Sequence, residues 1–191
     1  QTYYLHGKDQ NVYLTQVDAD TLQTQLDELY FLVIDSYDVS SLGKENIKAI
    51  EKWVKNGGWL LIGTGERGKD TLGGFDSSFT QISYGNVSKP GEENDAQKDM
   101  QLRKVYMGFE GMNFTKMSVA TLQCSDANAY ASDVYPGWVR TCGDGALGVC
   151  AISFGEKQLQ KASSDLCYGI YDQVAEYSVS YSQYVNDEEW G

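Results

Sequence analysis

Two polar stretches carry side chains able to do chemistry, and each directly follows an apolar run. Asp35-Ser36-Tyr37-Asp38 comes after Phe31–Ile34, and Gly63-Thr64-Gly65-Glu66 comes after Trp59–Ile62. Carboxylates such as Asp35, Asp38 and Glu66 could serve a hydrolase, alone or around a metal ion, if they converge in one cleft. The hydroxyls of Ser36 and Thr64 would need an adjacent base to become nucleophiles, and none is evident in the sequence. Gly63 to Gly68 has the spacing of a phosphate-cradling G-x-G-x-x-G loop. No clear helix is legible from Gly68, however, and that fingerprint normally follows the first strand of a strand–helix–strand unit. A phosphoacceptor reading of Asp35 would need an acidic pair in Gln1–Gly7, which has none. Asp38-Val39-Ser40-Ser41-Leu42 is out of register with the Asp-x-Ser-x-Ser of an adhesion-type metal site. The four cysteines, Cys124, Cys142, Cys150 and Cys167, contain no C-x-x-C pair, and the single histidine, His6, is remote. No metal site is therefore expected. The cysteines can form two disulfides in any of three pairings or remain buried thiols. If Asp144-Gly145 is a two-residue hairpin turn, Cys142 faces Leu147 and not Cys150, which disfavours a bridge between those two.

The elements that must position these groups are the clearest part of the chain. Phe31–Ile34 is a short continuous apolar run, as expected of a strand buried on both faces. From Lys44 to Asn56 the period changes: Ile47, Ile50 and Val54 share one stripe, with Ala49 and Trp53 beside it. Lys44, Glu45, Lys48, Lys52 and Lys55 occupy the wet side. Asn56-Gly57-Gly58 supplies a helix stop, and Trp59–Ile62 is the next buried strand. A strand–helix–strand crossover of this kind predicts two parallel neighbours, with Asp35 and Thr64 at their carboxyl ends, where open α/β sheets place ligands.

Around this core, Thr2–Leu5 and Val12–Val17 read as strands separated by a polar turn at Gly7–Asn11, and Thr21–Leu29 as a short helix capped by Asp20. The first third is thus β, β, α, β, α, β, the alternation of an open α/β sheet. Glu66–Gly74 reads as a surface loop, Phe79–Val87 as a strand and Lys89–Asp99 as an exposed loop. Leu102, Val105, Met107 and Phe109 suggest a strand, as does Phe114–Leu122. Trp138–Thr141 and Ala146–Phe154 form a hairpin around Gly143-Asp144-Gly145. Glu156 to about Tyr177 has the spacing of a closing helix. The organisation expected is one α/β domain over residues 1–177, with a β-rich elaboration at 66–140, and a tail or linker at 178–191.

The 191 residues carry a net charge of -12, which argues against nucleic acid or an anionic membrane as a partner, since either would demand a basic patch. No apolar run reaches the roughly 18 residues of a membrane span. Fourteen tyrosines and four tryptophans invite a carbohydrate-binding reading, with Trp138 able to be exposed after Tyr135-Pro136-Gly137 and Trp53 facing the core.

The residues Leu32-Val33-Ile34-Asp35, Ile47, Ile50, Trp53-Val54, Gly57-Gly58 and Leu60–Gly65 resemble the strand–helix–strand core of class I glutamine amidotransferase-like domains. The likeness is to the degenerate members found in bacterial cell-envelope proteins. Gly143–Val149 and Ala151–Phe154 look like the late glycine hairpin and strand of that family. The resemblance implies a three-layer, mostly parallel, flavodoxin-like α/β sheet. It also puts Thr64 where active members carry a nucleophilic cysteine, and no histidine follows it. The function implied is a non-catalytic binding or interaction module of a surface or secreted protein, with no cofactor and a protein or glycan partner. Its ligand-facing residues would be Asp35, Ser36, Asp38, Thr64, Gly65 and Glu66. A leader or anchor would lie outside the given chain, which begins at Gln1. A carboxylate- or metal-dependent hydrolase and a structural spacer are the alternatives.

Overall fold

A computed structural model describes residues 2–5, 8–11, 15–29, 31–103, 111–132 and 135–158. His6, residues 12–14 of the second expected strand, Val105, Met107 and Phe109, Cys167, nearly all of the closing helix and the tail lie outside them. The chain starts with β1 (Thr2–Leu5) paired antiparallel to β2 (Lys8–Asn11), so Lys8–Asn11 is strand and not turn. Residues 15–17 are not strand. α1 (Leu22–Gln25) runs on into a 3-10 turn, Leu26–Glu28. Thr21 takes the N-cap position, with no side-chain cap bond. The helix buries Leu22 and Leu26.

β3 (Phe31–Ile34), α2 (Lys44–Lys55) and β4 (Trp59–Gly63) follow as the periodicities require. β3 and β4 are parallel neighbours, with Phe31 opposite Trp59 and Ile34 opposite Ile62. β4 is parallel in turn to β9 (Gly145–Cys150), which β8 (Gly137–Cys142) and β7 (Tyr130–Ala131) extend antiparallel. The sheet order is β3-β4-β9-β8-β7, four of the five strands pointing one way. A second, two-stranded antiparallel sheet joins β5 (Ile82–Ser88) to β6 (Val119–Cys124). The molecule is thus mixed α/β, with a mostly parallel five-stranded sheet and small antiparallel additions.

The described residues between β4 and β8 combine short helices with strands. A 3-10 turn at Gly65–Arg67 leads into α3 (Gly68–Gly73), and α4 (Ser77–Thr80) precedes β5. The polar run after Lys89 contains α5 (Asp95–Arg103), so Leu102 is helical, and Phe114 opens a 3-10 turn before β6. The hairpin forms, but its turn is Gly143-Asp144. Cys142 pairs with Gly145, and Leu147 lies opposite Arg140. Cys150 pairs with Gly137 at the far end of the ladder, and Cys124, Cys142 and Cys150 are free thiols.

Alternation along the central strands divides the core. Leu32, Ile34, Leu60, Ile62, Leu147 and Val149 face one side with Ile50 and Val54 of α2 and Leu22 and Leu26. Leu61, Cys150 and Ile152 join Phe114, Met117 and Tyr135 on the other. Trp53 and Trp138 are partly buried against the first cluster, which makes Trp138 a packing residue. With both faces of its central strands covered, the sheet leaves its strand ends as the natural place for polar chemistry.

Candidate functional site

The carboxyl ends of β3, β4 and β9 lie side by side, and residues beyond β3 and β9 form one hydrogen-bonded group. Ser153 Oγ donates to Asp35 Oδ2 at 2.8 Å, and the Gly155 amide donates to the same oxygen at 3.2 Å. That amide also lies 3.1 Å from Ser153 Oγ. Ser36 Oγ is 3.2 Å from Ser153 Oγ. Ser36 is exposed at the end of its strand and has φ +52°, a left-handed conformation uncommon for a residue with a Cβ.

Proton counting orients this chain of hydroxyls. An ionised carboxylate only accepts, and Ser153 has a single hydroxyl hydrogen, which goes to Asp35. With that proton so placed, Ser36 is the donor in the contact between the two serines, and the oxygen of this exposed residue keeps acceptor capacity. The group ends outward in an acceptor.

Gly63 makes this packing possible. A Cβ there would sit 2.0 Å from Asp35 Oδ1 and 3.0 Å from Phe154 Cδ2. The carboxylate therefore lies over the glycine, where Oδ1 is buried without a hydrogen-bond partner. Cys150 pairs with Gly63 from the other side. Burial pushes its thiol up to about 12; the Ile152 amide opposes that rise and the charge of Asp35 adds to it. It is a packed, protonated thiol rather than a nucleophile.

The other residues marked by the sequence have different work. Thr64 is fully buried, and its hydroxyl donates to Cys150 O at 2.5 Å while its amide bonds the Cys150 and Ile152 carbonyls. Thr64 thus ties the end of β4 to β9. Gly65 is buried in the turn that leaves β4, against the Ser153 backbone. Glu66 accepts from Ser118 Oγ at 2.9 Å. Asp38 caps the Val39–Leu42 turn by accepting from the Ser40 amide and hydroxyl. The structure therefore joins Asp35 and Ser36 and leaves Asp38 and Glu66 with separate partners. Among the described residues no group of three or more His, Cys, Asp or Glu could hold a metal ion.

A helix does open at Gly68, contrary to the sequence reading of that loop. Gly68 packs closely on the Tyr84 ring, which a Cβ there would meet at 2.1 Å. Tyr84 donates its hydroxyl to Gly65 O at 2.9 Å, and burial, then the charge of Glu66, raises its phenol above the ordinary value.

Ser153 and Gly155 were missed by sequence reasoning. The signal that could have found them is the rule that marked Asp35 and Thr64, applied to the polar residues after a third buried strand. No protein-family model matches the chain, and no curated protein matches it. Among the described residues no helix is long and apolar enough to cross a membrane.

Proposed function

We propose that this chain is a non-catalytic binding module of a surface or secreted protein. On this reading it is a three-layer domain of the amidotransferase type without the Cys–His pair, and it holds its ligand at the carboxyl ends of β3, β4 and β9. The observation that carries the reading is the outward-ending chain from Asp35 through Ser153 to Ser36. It is a prearranged, solvent-facing hydrogen-bonding group held by the ends of two strands, β3 and β9, over Gly63 of β4. Support for a non-catalytic role comes from Thr64, whose hydroxyl is buried and spent on Cys150 O where the family's nucleophile would stand. The separate partners of Asp38 and Glu66 also weigh against a paired-carboxylate hydrolase.

The test is a thermal-shift screen with glutamine, nucleotides, flavin, glycan fragments and divalent cations. A ligand that binds only the folded state raises stability by RT ln(1 + [L]/Kd). The reading expects a shift in the native chain that is lost in Ser36→Ala and Ser153→Ala. A shift that survives both substitutions, or turnover of any of these compounds, would overturn it.

A further inference from the structure

We infer that the ligand is a neutral carbohydrate, bound through hydroxyls that donate to Ser36, with the Tyr37 ring as an adjoining stacking surface. The inference rests on the strand ends being the binding site, and it names the chemical class that fits them.

Three features of the site carry it. First, the unspent capacity of the group is acceptor capacity. The Ser36 proton is committed to Ser153 and the Ser153 proton to Asp35, while the Gly155 amide is turned inward on both. A ligand that leaves these bonds in place brings donors. Phosphates, carboxylates and other anions bring only acceptors, and they meet the Asp35 charge and a molecule of net charge -12.

Second, the donors available are hydroxyls, neutral amides and cationic nitrogens, and the carboxylate is poorly disposed for the last of these. An ammonium or guanidinium is best held by carboxylate oxygens, preferably two at once. Asp35 Oδ1 is buried over Gly63, and Oδ2 already accepts from two donors. What faces outward is a serine oxygen, polarised through Ser153 by the carboxylate behind it but itself neutral. That acceptor matches a sugar hydroxyl.

Third, an aromatic follows directly. Tyr37 is 42% exposed, one of few large apolar side chains the described residues leave to solvent. Its hydroxyl, 3.2 Å from Ser41 Oγ, ties it to the turn that Asp38 caps. An exposed, tethered ring on the residue that follows an outward acceptor in the chain offers a sugar an apolar face in addition to the polar anchor.

The experiment is isothermal titration of the full chain with neutral oligosaccharides of glucose, mannose, xylose and N-acetylglucosamine, and with spermidine as a cationic probe. The expected result is saturable binding of at least one oligosaccharide, weakened about tenfold in Ser36→Ala, as loss of one hydrogen bond to the ligand implies. Tyr37→Ala should weaken it comparably, and Tyr130→Ala, at an exposed aromatic on β7, should leave it unchanged. Ser36→Gly removes the hydroxyl while suiting the positive φ, so it reports the lost contact even if the alanine variant folds poorly. Spermidine binding that depends on Ser36, without oligosaccharide binding, would overturn the carbohydrate inference and leave the site reading standing. Oligosaccharide binding indifferent to Ser36 and Tyr37 would overturn both. Absence of oligosaccharide binding at millimolar concentration would overturn the inference.

Discussion

At the scale of single residues, the strand-end group depends on contacts that ordinary substitutions would break. Gly63→Ala would drive a methyl group into the Asp35 carboxylate, and a loss of about 2 kcal/mol is expected from such overpacking. The same substitution should cost measurably less in an Asp35→Ala background, and equal costs in a double-mutant cycle would refute the contact. Thr64→Val keeps the shape and removes the bond to Cys150 O. It should lower stability by about 1 kcal/mol in denaturant unfolding and leave ligand affinity intact. A loss of binding with unchanged stability would restore Thr64 to a functional role. Cys150 sets a pH dependence. In the unfolded chain its thiol ionises around the ordinary 9.0, and in the folded chain it stays neutral up to about 12. Across that window the unfolded state holds fewer protons, so the stability is fully present below pH 9.0 and declines as pH rises toward 12. The melting temperature should fall over this range, and less steeply in Cys150→Ala; equal slopes would contradict the assignment.

At the scale of elements, the hairpin turn serves as the cap of α2. The Asp144 amide donates to Lys55 O at 2.9 Å, so the last helix carbonyl is satisfied by the turn, while the Ala146 amide of β9 donates to Gly58 O, just before β4, at 3.2 Å. Gly143 has φ +61°, and a Cβ there would meet Lys55 O at 2.4 Å. Gly143→Ala should therefore cost about 3 kcal/mol, combining the backbone penalty with the clash, and it should appear as a lowered urea midpoint with unchanged slope. This docking explains in part what was legible from sequence. β3, α2 and β4 stand out because the hydrophobic period switches from a continuous run to a helical stripe and back. α3 is hidden because Gly68, Gly73 and Gly74 read as a loop, and their neighbours decide otherwise. α5 lacks a strong apolar stripe because one of its anchors is polar: Gln97, fully buried, donates to Lys89 O and Met117 O. In the site, Asp35 and Ser36 were legible from their place after a strand. Ser153 was not, because nothing local shows that β9 lies beside β4.

At the scale of the whole molecule, the charge of -12 and the neutral outward end of the site point the same way. Binding of an uncharged ligand should be insensitive to salt, whereas a cationic one would be released as ionic strength rises. The most direct test of the central claim, that the strand ends of β3, β4 and β9 are the binding site, is a residue-resolved amide NMR titration. The isotope-labelled chain would be titrated with the oligosaccharide panel. The account expects saturable shifts concentrated at residues 35–37, 63–66 and 153–155, and their loss in Ser36→Gly. Saturable shifts confined to another face of the molecule, or shifts at these residues that persist unchanged in Ser36→Gly, would contradict it.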